Sequence, residues 1–136
     1  MTQKLMPEIV CEWGLQGIEA WRDAASVFVI VDVLSFSTAV NVATERGAAI
    51  IPFPYGDTAA AIAEADRQSA IVAMPRSAGG GQLSLSPASL RRVEAGSRIV
   101  LPSPNGSRLS LATGGVPTIS GCLRNAQAVE IGRAHV

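Results

Sequence analysis

The chain has 136 residues, 48% apolar and 16% charged, with eleven Lys and Arg balanced by eleven Asp and Glu. That length suits one domain and that composition a packed core, which excludes a multidomain machine and a disordered chain. A net charge of zero without a basic run also lacks the electrostatic footprint of a nucleic-acid binder.

Residues 8–13 read as a first strand and residues 15–22 as a short helix, with Trp13 and Trp21 as packing residues. Ser26 to Val33 is a nearly continuous apolar, β-branched run, the pattern of a central strand buried on both faces. Ser35, Ser37 and Thr38 offer N-capping oxygens to a helix that Gly47 stops. The unit then repeats. Ala48 to Phe53 reads as a strand, Asp57 as the N-cap of an Ala-rich helix through Gln68, and Ala70 to Met74 as a strand. A loop with Gly79, Gly80 and Gly81 precedes a short helix opened by Pro87. Arg98 to Leu101 forms a strand, Asn105 to Ala112 a helix, Val116 to Ser120 a strand, and a last helix starts at Arg124. Strands alternating with helices of this length predict right-handed crossovers: an α/β class, a three-layer α/β/α arrangement with a mostly parallel sheet.

No apolar run reaches the roughly 18 residues of a membrane span, and residues 1–12 lack a signal-peptide core. Cys11 and Cys122 lie outside any CxxC or Cys/His cluster and read as reduced, buried thiols of a cytoplasmic protein. Residues 130–136, EIGRAHV, match an in-frame translation of a sequencing-library adapter and read as a non-native tail; residues 1–129 then form an α/β domain truncated at its C-terminus. His135, the only histidine, falls in that tail, so residues 1–129 hold no candidate for His-based catalysis.

Ligands of open α/β sheets bind beyond the carboxyl ends of the strands. Four turns qualify: 32–38, 74–87, 102–107 and 120–125. Asp32 is the sharpest residue, because a carboxylate ending an apolar strand is costly to bury without a metal, a cation or a hydrogen bond. By elimination among the aspartates it is the best Mg²⁺ ligand, with capping of its own turn as the alternative. Ser35, Ser37 and Thr38 read as phosphoryl-binding hydroxyls or as caps. Arg76 reads as an anion clamp or as a solvent-exposed side chain. Ser84, Ser86 and Pro87 open a helix and serve binding or capping; Asn105, Gly106 and Ser107 form an anion nest or an ordinary β-turn. There is no GxxxxGK[ST], GxGxxG or GxSxG, which counts against nucleotide hydrolases, Rossmann dehydrogenases and serine hydrolases.

The segments VIVDVLSFSTAV (29–40), LSPASL (85–90), LPSPNGSRL (101–109) and GCLRNAQAV (121–129) resemble, in order, motifs of the 2-phosphosulfolactate phosphatases, the ComB-like family. The resemblance implies Mg²⁺-dependent hydrolysis of 2-phospho-3-sulfolactate to 3-sulfolactate and phosphate, a step toward coenzyme M. It places catalytic roles on Asp32, Ser37 and Thr38, with Asp32 the metal ligand. Substrate contacts fall on Ser35, Arg76, Ser86, Asn105, Gly106, Ser107 and Asn125. Ser35 stands where many members carry Arg, Leu85 where Asn is usual, and Ser107 where Thr is usual. The expected partner is a small anionic phosphate ester, without nucleic acid or membrane, and the composition leaves monomer and homo-oligomer both open. Another phosphate monoester, a non-catalytic anion-binding role and an inactive fragment stand as alternatives.

Overall fold

A computed structural model describes residues 9–133, with side chains through Glu130. It starts with helix α1 (Gly14–Trp21), strand β1 (Phe28–Val31), helix α2 (Phe36–Glu45), strand β2 (Ala49–Pro54), helix α3 (Thr58–Arg67) and strand β3 (Ile71–Val72). A 3-10 turn at Arg76–Ala78 leads to α4 (Pro87–Leu90), β4 (Arg98–Ser103), α5 (Gly106–Ala112), β5 (Thr118–Gly121) and α6 (Ala126–Arg133). Local chemistry sets several of these boundaries. Asp57 caps α3 by accepting from the Ala60 N–H at 2.8 Å, and Pro87 occupies the first turn of α4. Helix α2 ends where Gly47 takes φ +83°, so that its N–H reaches Thr44 O at 2.9 Å and the Ala48 N–H reaches Ala43 O at 3.1 Å. That left-handed turn is open to Gly at no steric cost.

All strand pairs are parallel. β4 lies between β2 and β3, and β1 pairs with β5 in a second sheet. Residue alternation along β4 sorts the core into two layers. Ile99 and Leu101 pack with Phe36, Ala39 and Ala43 of α2 and Leu90 of α4, whereas Val100 packs with Ala61 and Ala65 of α3. Helices therefore cover both faces of the three-stranded sheet, as the α/β reading requires. Helices α2 and α5 join the two sheets, α2 packing on β2 and β5, and α5 on β1, β2 and β4. On the surface of α3, Glu64 pairs with Arg67 at 2.6 Å and accepts from Gln68. The bond from Arg67, then that from Gln68, hold its carboxyl below the usual carboxylate range.

Four expectations are corrected. The strand expected at the centre is β1, but it spans only four residues, pairs with β5 alone and leaves Val31 68% exposed. β4 is central instead, because a strand's apolar run reports its faces and not how many edges are paired. Residues 9–13 form no strand: Ile9 and Trp13 are exposed, and no strand among the described residues pairs with them; Glu8 and His135 lie outside the described residues. Trp13 is 93% exposed and does not pack, while Trp21 is half-buried. Cys11 is exposed on that same uncovered segment, and only Cys122 is buried. Among the described residues no helix is long and apolar enough to cross a membrane.

The layering makes a contrast measurable by urea unfolding. Leu101→Ala, at a fully buried site in the central strand, is expected to cost about 2–5 kcal/mol. Leu123→Ala, at a side chain 83% exposed, is expected to stay within about 0.5 kcal/mol.

Candidate active site

The turns after β1, β3 and β4 come together at the carboxyl ends of the strands. The first is built around Ser37. Its hydroxyl donates to Ile30 O at 2.8 Å and accepts from the Asp32 N–H at 3.0 Å, while the Ser37 N–H donates to Asp32 O at 2.8 Å. Thr38 adds a bond from its hydroxyl to Val33 O at 2.8 Å. These bonds fix Asp32 just beyond the strand, half-buried, with its carboxylate turned toward the next turn.

The Gly106 N–H donates to Asp32 Oδ2 at 3.1 Å, joining the turn after β1 to the turn after β4. Gly106 is required there. A Cβ on it would lie 2.1 Å from the Phe36 ring, and Phe36 is only 2% exposed. Ser107 repeats the part of Ser37: it is fully buried and its hydroxyl donates to Leu101 O at 2.6 Å. Asn125 plays it again after β5, donating to Ser120 O and accepting from the Cys122 N–H, both at 2.8 Å.

The hydroxyls and N–H groups expected to face a ligand thus divide into two sets. Those of Ser37, Thr38, Gly106 and Ser107, and the Asn125 amide, are turned inward and hold the turns, because a buried polar group without a partner is costly. Ser35 is also buried, and its hydroxyl donates to Leu85 O at 3.0 Å and accepts from the Arg76 guanidinium. Left without a side-chain partner among the described residues are the other oxygen of Asp32, the remaining N–H groups of Arg76, the Ser86 hydroxyl and the Asn105 side chain. Arg76 has no carboxylate partner among them either.

A chain assembled in this way brings one carboxylate, Asp32, and one guanidinium, Arg76, to the carboxyl ends of its strands. A model of the 2-phosphosulpholactate phosphatase family matches residues 16–131. The chain belongs to that family. It is by that membership a phosphoric monoester hydrolase, a phosphatase. Searches of curated proteins and of solved structures return no match. Ser35, expected from the resemblance to stand in place of an Arg, carries the Arg76 guanidinium on its hydroxyl.

Whether the site suits Mg²⁺ is a matter of donor chemistry. Among the described residues no group of three or more His, Cys, Asp or Glu comes together. Mg²⁺ takes one or two carboxylates and fills its remaining positions with water and phosphate oxygens. The free oxygen of Asp32 therefore fits an ion that arrives with a phosphate ester, and the site is not a closed protein cage.

The sequence reading passed over one strand-end turn, that after β2. Tyr55, Gly56, Asp57 and Thr58 of that turn line a cleft of about 490 Å³ together with Arg76 and Ser77. The signal was present in the chain: Tyr55-Gly56-Asp57 follows an apolar strand and precedes a helix, the same context as the other four turns.

Gly106→Ala tests the packing that holds Asp32. The added methyl meets a ring with no room to retreat, and overpacking of this kind typically costs about 1–3 kcal/mol. The urea midpoint of the variant is expected to fall with an unchanged m value, and its phosphatase activity to fall further than its stability explains.

Proposed function

We propose that the protein is a Mg²⁺-dependent phosphatase of small 2-phospho acids, the class to which 2-phospho-3-sulfolactate belongs. Hydrolysis of that ester would give 3-sulfolactate and phosphate, the step that leads toward coenzyme M. The observation that carries the reading is the Asp32 carboxylate, fixed by Ser37 at the end of β1 and by the Gly106 N–H, with one oxygen left free at the strand edge.

In this reading Asp32 holds the ion beside the ester phosphate. When bound, Mg²⁺ supplies positive charge that offsets charge building on the phosphoryl oxygens. The chain's own residues do the rest. Arg76, Ser86 and Asn105 bind and orient the ester, while Ser37, Thr38, Gly106, Ser107 and Asn125 keep the turns rigid. Water attacks phosphorus, the ester P–O bond breaks, and the departing alkoxide takes a proton. Positioning and charge stabilisation carry most of the catalysis in such a transfer.

One observation favours a substrate other than phosphosulfolactate. That ester carries a phosphate, a sulfonate and a carboxylate, and Arg76 is the single cation lining the cleft among the described residues.

Asp32→Asn separates charge from structure, since the amide oxygen can still accept from the Gly106 N–H while the ligand charge is lost. The variant is expected to keep its far-UV circular dichroism and to lose Mg²⁺-stimulated phosphate release by on the order of 100-fold or more. Activity within a few-fold of the parent would remove Asp32 from the metal site.

A further inference from the structure

The cleft beside Arg76 has a chemistry of its own. It runs along the carboxyl ends of β2, β3 and β4, and Val72, Met74, Leu85, Pro102 and Pro104 make its apolar wall. Among the described residues Arg76 is its one cation, and Asp57, whose Oδ1 already caps α3, its one carboxylate. Tyr55, 59% exposed, stands at the rim. The cleft adjoins the Asp32 site on both sides. Arg76 and Leu85 are the two groups bonded to Ser35, three residues after Asp32, and Pro104 is two residues before Gly106.

We propose that this cleft receives the organic half of the ester and selects a 2-phospho acid whose C3 substituent is apolar rather than anionic. The inference rests on the phosphatase reading. Arg76 reads the single carboxylate, with the planar fork that suits it and with one N–H already anchored on Ser35. The C3 substituent then lies against Val72, Met74, Pro102 and Pro104. A sulfonate placed there would be desolvated without a cation, which costs heavily, whereas a phenyl or branched alkyl group gains by burial. The volume points the same way. At about 490 Å³ the cleft falls within the range of pockets that hold whole drug-sized ligands and exceeds what a three-carbon acid fills.

The test compares three esters that share the 2-phospho acid skeleton: 2-phospho-3-phenyllactate, 2-phospholactate and 2-phospho-3-sulfolactate. Phosphate release is measured with Mg²⁺ on the full chain. The expected kcat/KM for the phenyl ester exceeds that for the sulfonate ester by at least about tenfold, the scale on which apolar pockets discriminate. Pro104→Lys, which adds a cation at an exposed position on the wall, is expected to lower that ratio at least about fivefold. Arg76→Gln is expected to raise KM for all three acids at least about tenfold, and Arg76→Lys to recover part of the loss. A phenyl-to-sulfonate ratio below about ten in the parent chain, or a KM that Arg76→Gln leaves unmoved, overturns the inference while phosphate release leaves the phosphatase reading standing. Release from none of the three esters overturns that reading and the inference with it.

Discussion

A side chain that reaches back to the strand it has just left governs how this molecule presents its site. Ser37 donates to Ile30 O after β1, Ser107 to Leu101 O after β4, and Asn125 to Ser120 O after β5. A parallel strand that gives way to a helix leaves carbonyls without ladder partners at its carboxyl end, and burying them unpaired would be expensive. One small polar side chain early in each following element satisfies such a carbonyl and sharpens the turn.

The same economy explains why so little of the polar chemistry faces outward. Of the side chains in the turn after β1, only the Asp32 carboxylate is left with an unbonded oxygen, and its other oxygen is held across the gap by the Gly106 N–H. That contact depends on the absence of a side chain at Gly106, because Phe36 of α2 fills the space against its Cα. Core packing and site geometry therefore meet at one residue. Phe36 belongs to the larger hydrophobic cluster with Ile99 and Leu101, so the position of Asp32 is set by the same layer that stabilises the sheet. Preorganised groups of this kind contribute to catalysis because they need no reorganisation when charge develops.

The alternation of strands and helices was legible because each unit carries its own punctuation: Gly47 closing α2, Asp57 capping α3, Pro87 opening α4. The carboxyl-end location of the candidate site followed from that alternation alone, and Asp32 stood out as a carboxylate directly ending an apolar run, whereas Asp57 read as a helix cap. What the sequence could not show was neighbourhood. The apolar run 26–33 resembles a central strand whether it has one partner or two, and β4 owes its central place to pairings with residues some fifty and thirty positions away in the chain, Ile50 and Ile71 both facing Ile99. The direction in which a hydroxyl points is likewise non-local. Ser35, Ser37, Thr38 and Ser107 look alike as candidates, and only the folded chain shows that Ser37 and Ser107 bond to strand carbonyls while Ser35 receives Arg76 from forty-one residues away.

That last pairing bears on how the frame of the site and its one guanidinium are kept separate. A guanidinium at position 35 itself would be fixed by the rigid turn after β1, close to Asp32. Supplied by Arg76, it comes from the 3-10 turn beyond β3 and lies on the wall of the neighbouring cleft. Its anchor on Ser35 keeps it near the turn that holds Asp32, while its remaining donors have no side-chain partner among the described residues. In the reading proposed above, a guanidinium on the cleft wall serves the body of the ester rather than its phosphoryl group. The turn after β1 keeps its hydrogen bonds throughout, because Ser35 still satisfies the Leu85 carbonyl and Ser37 still holds Asp32.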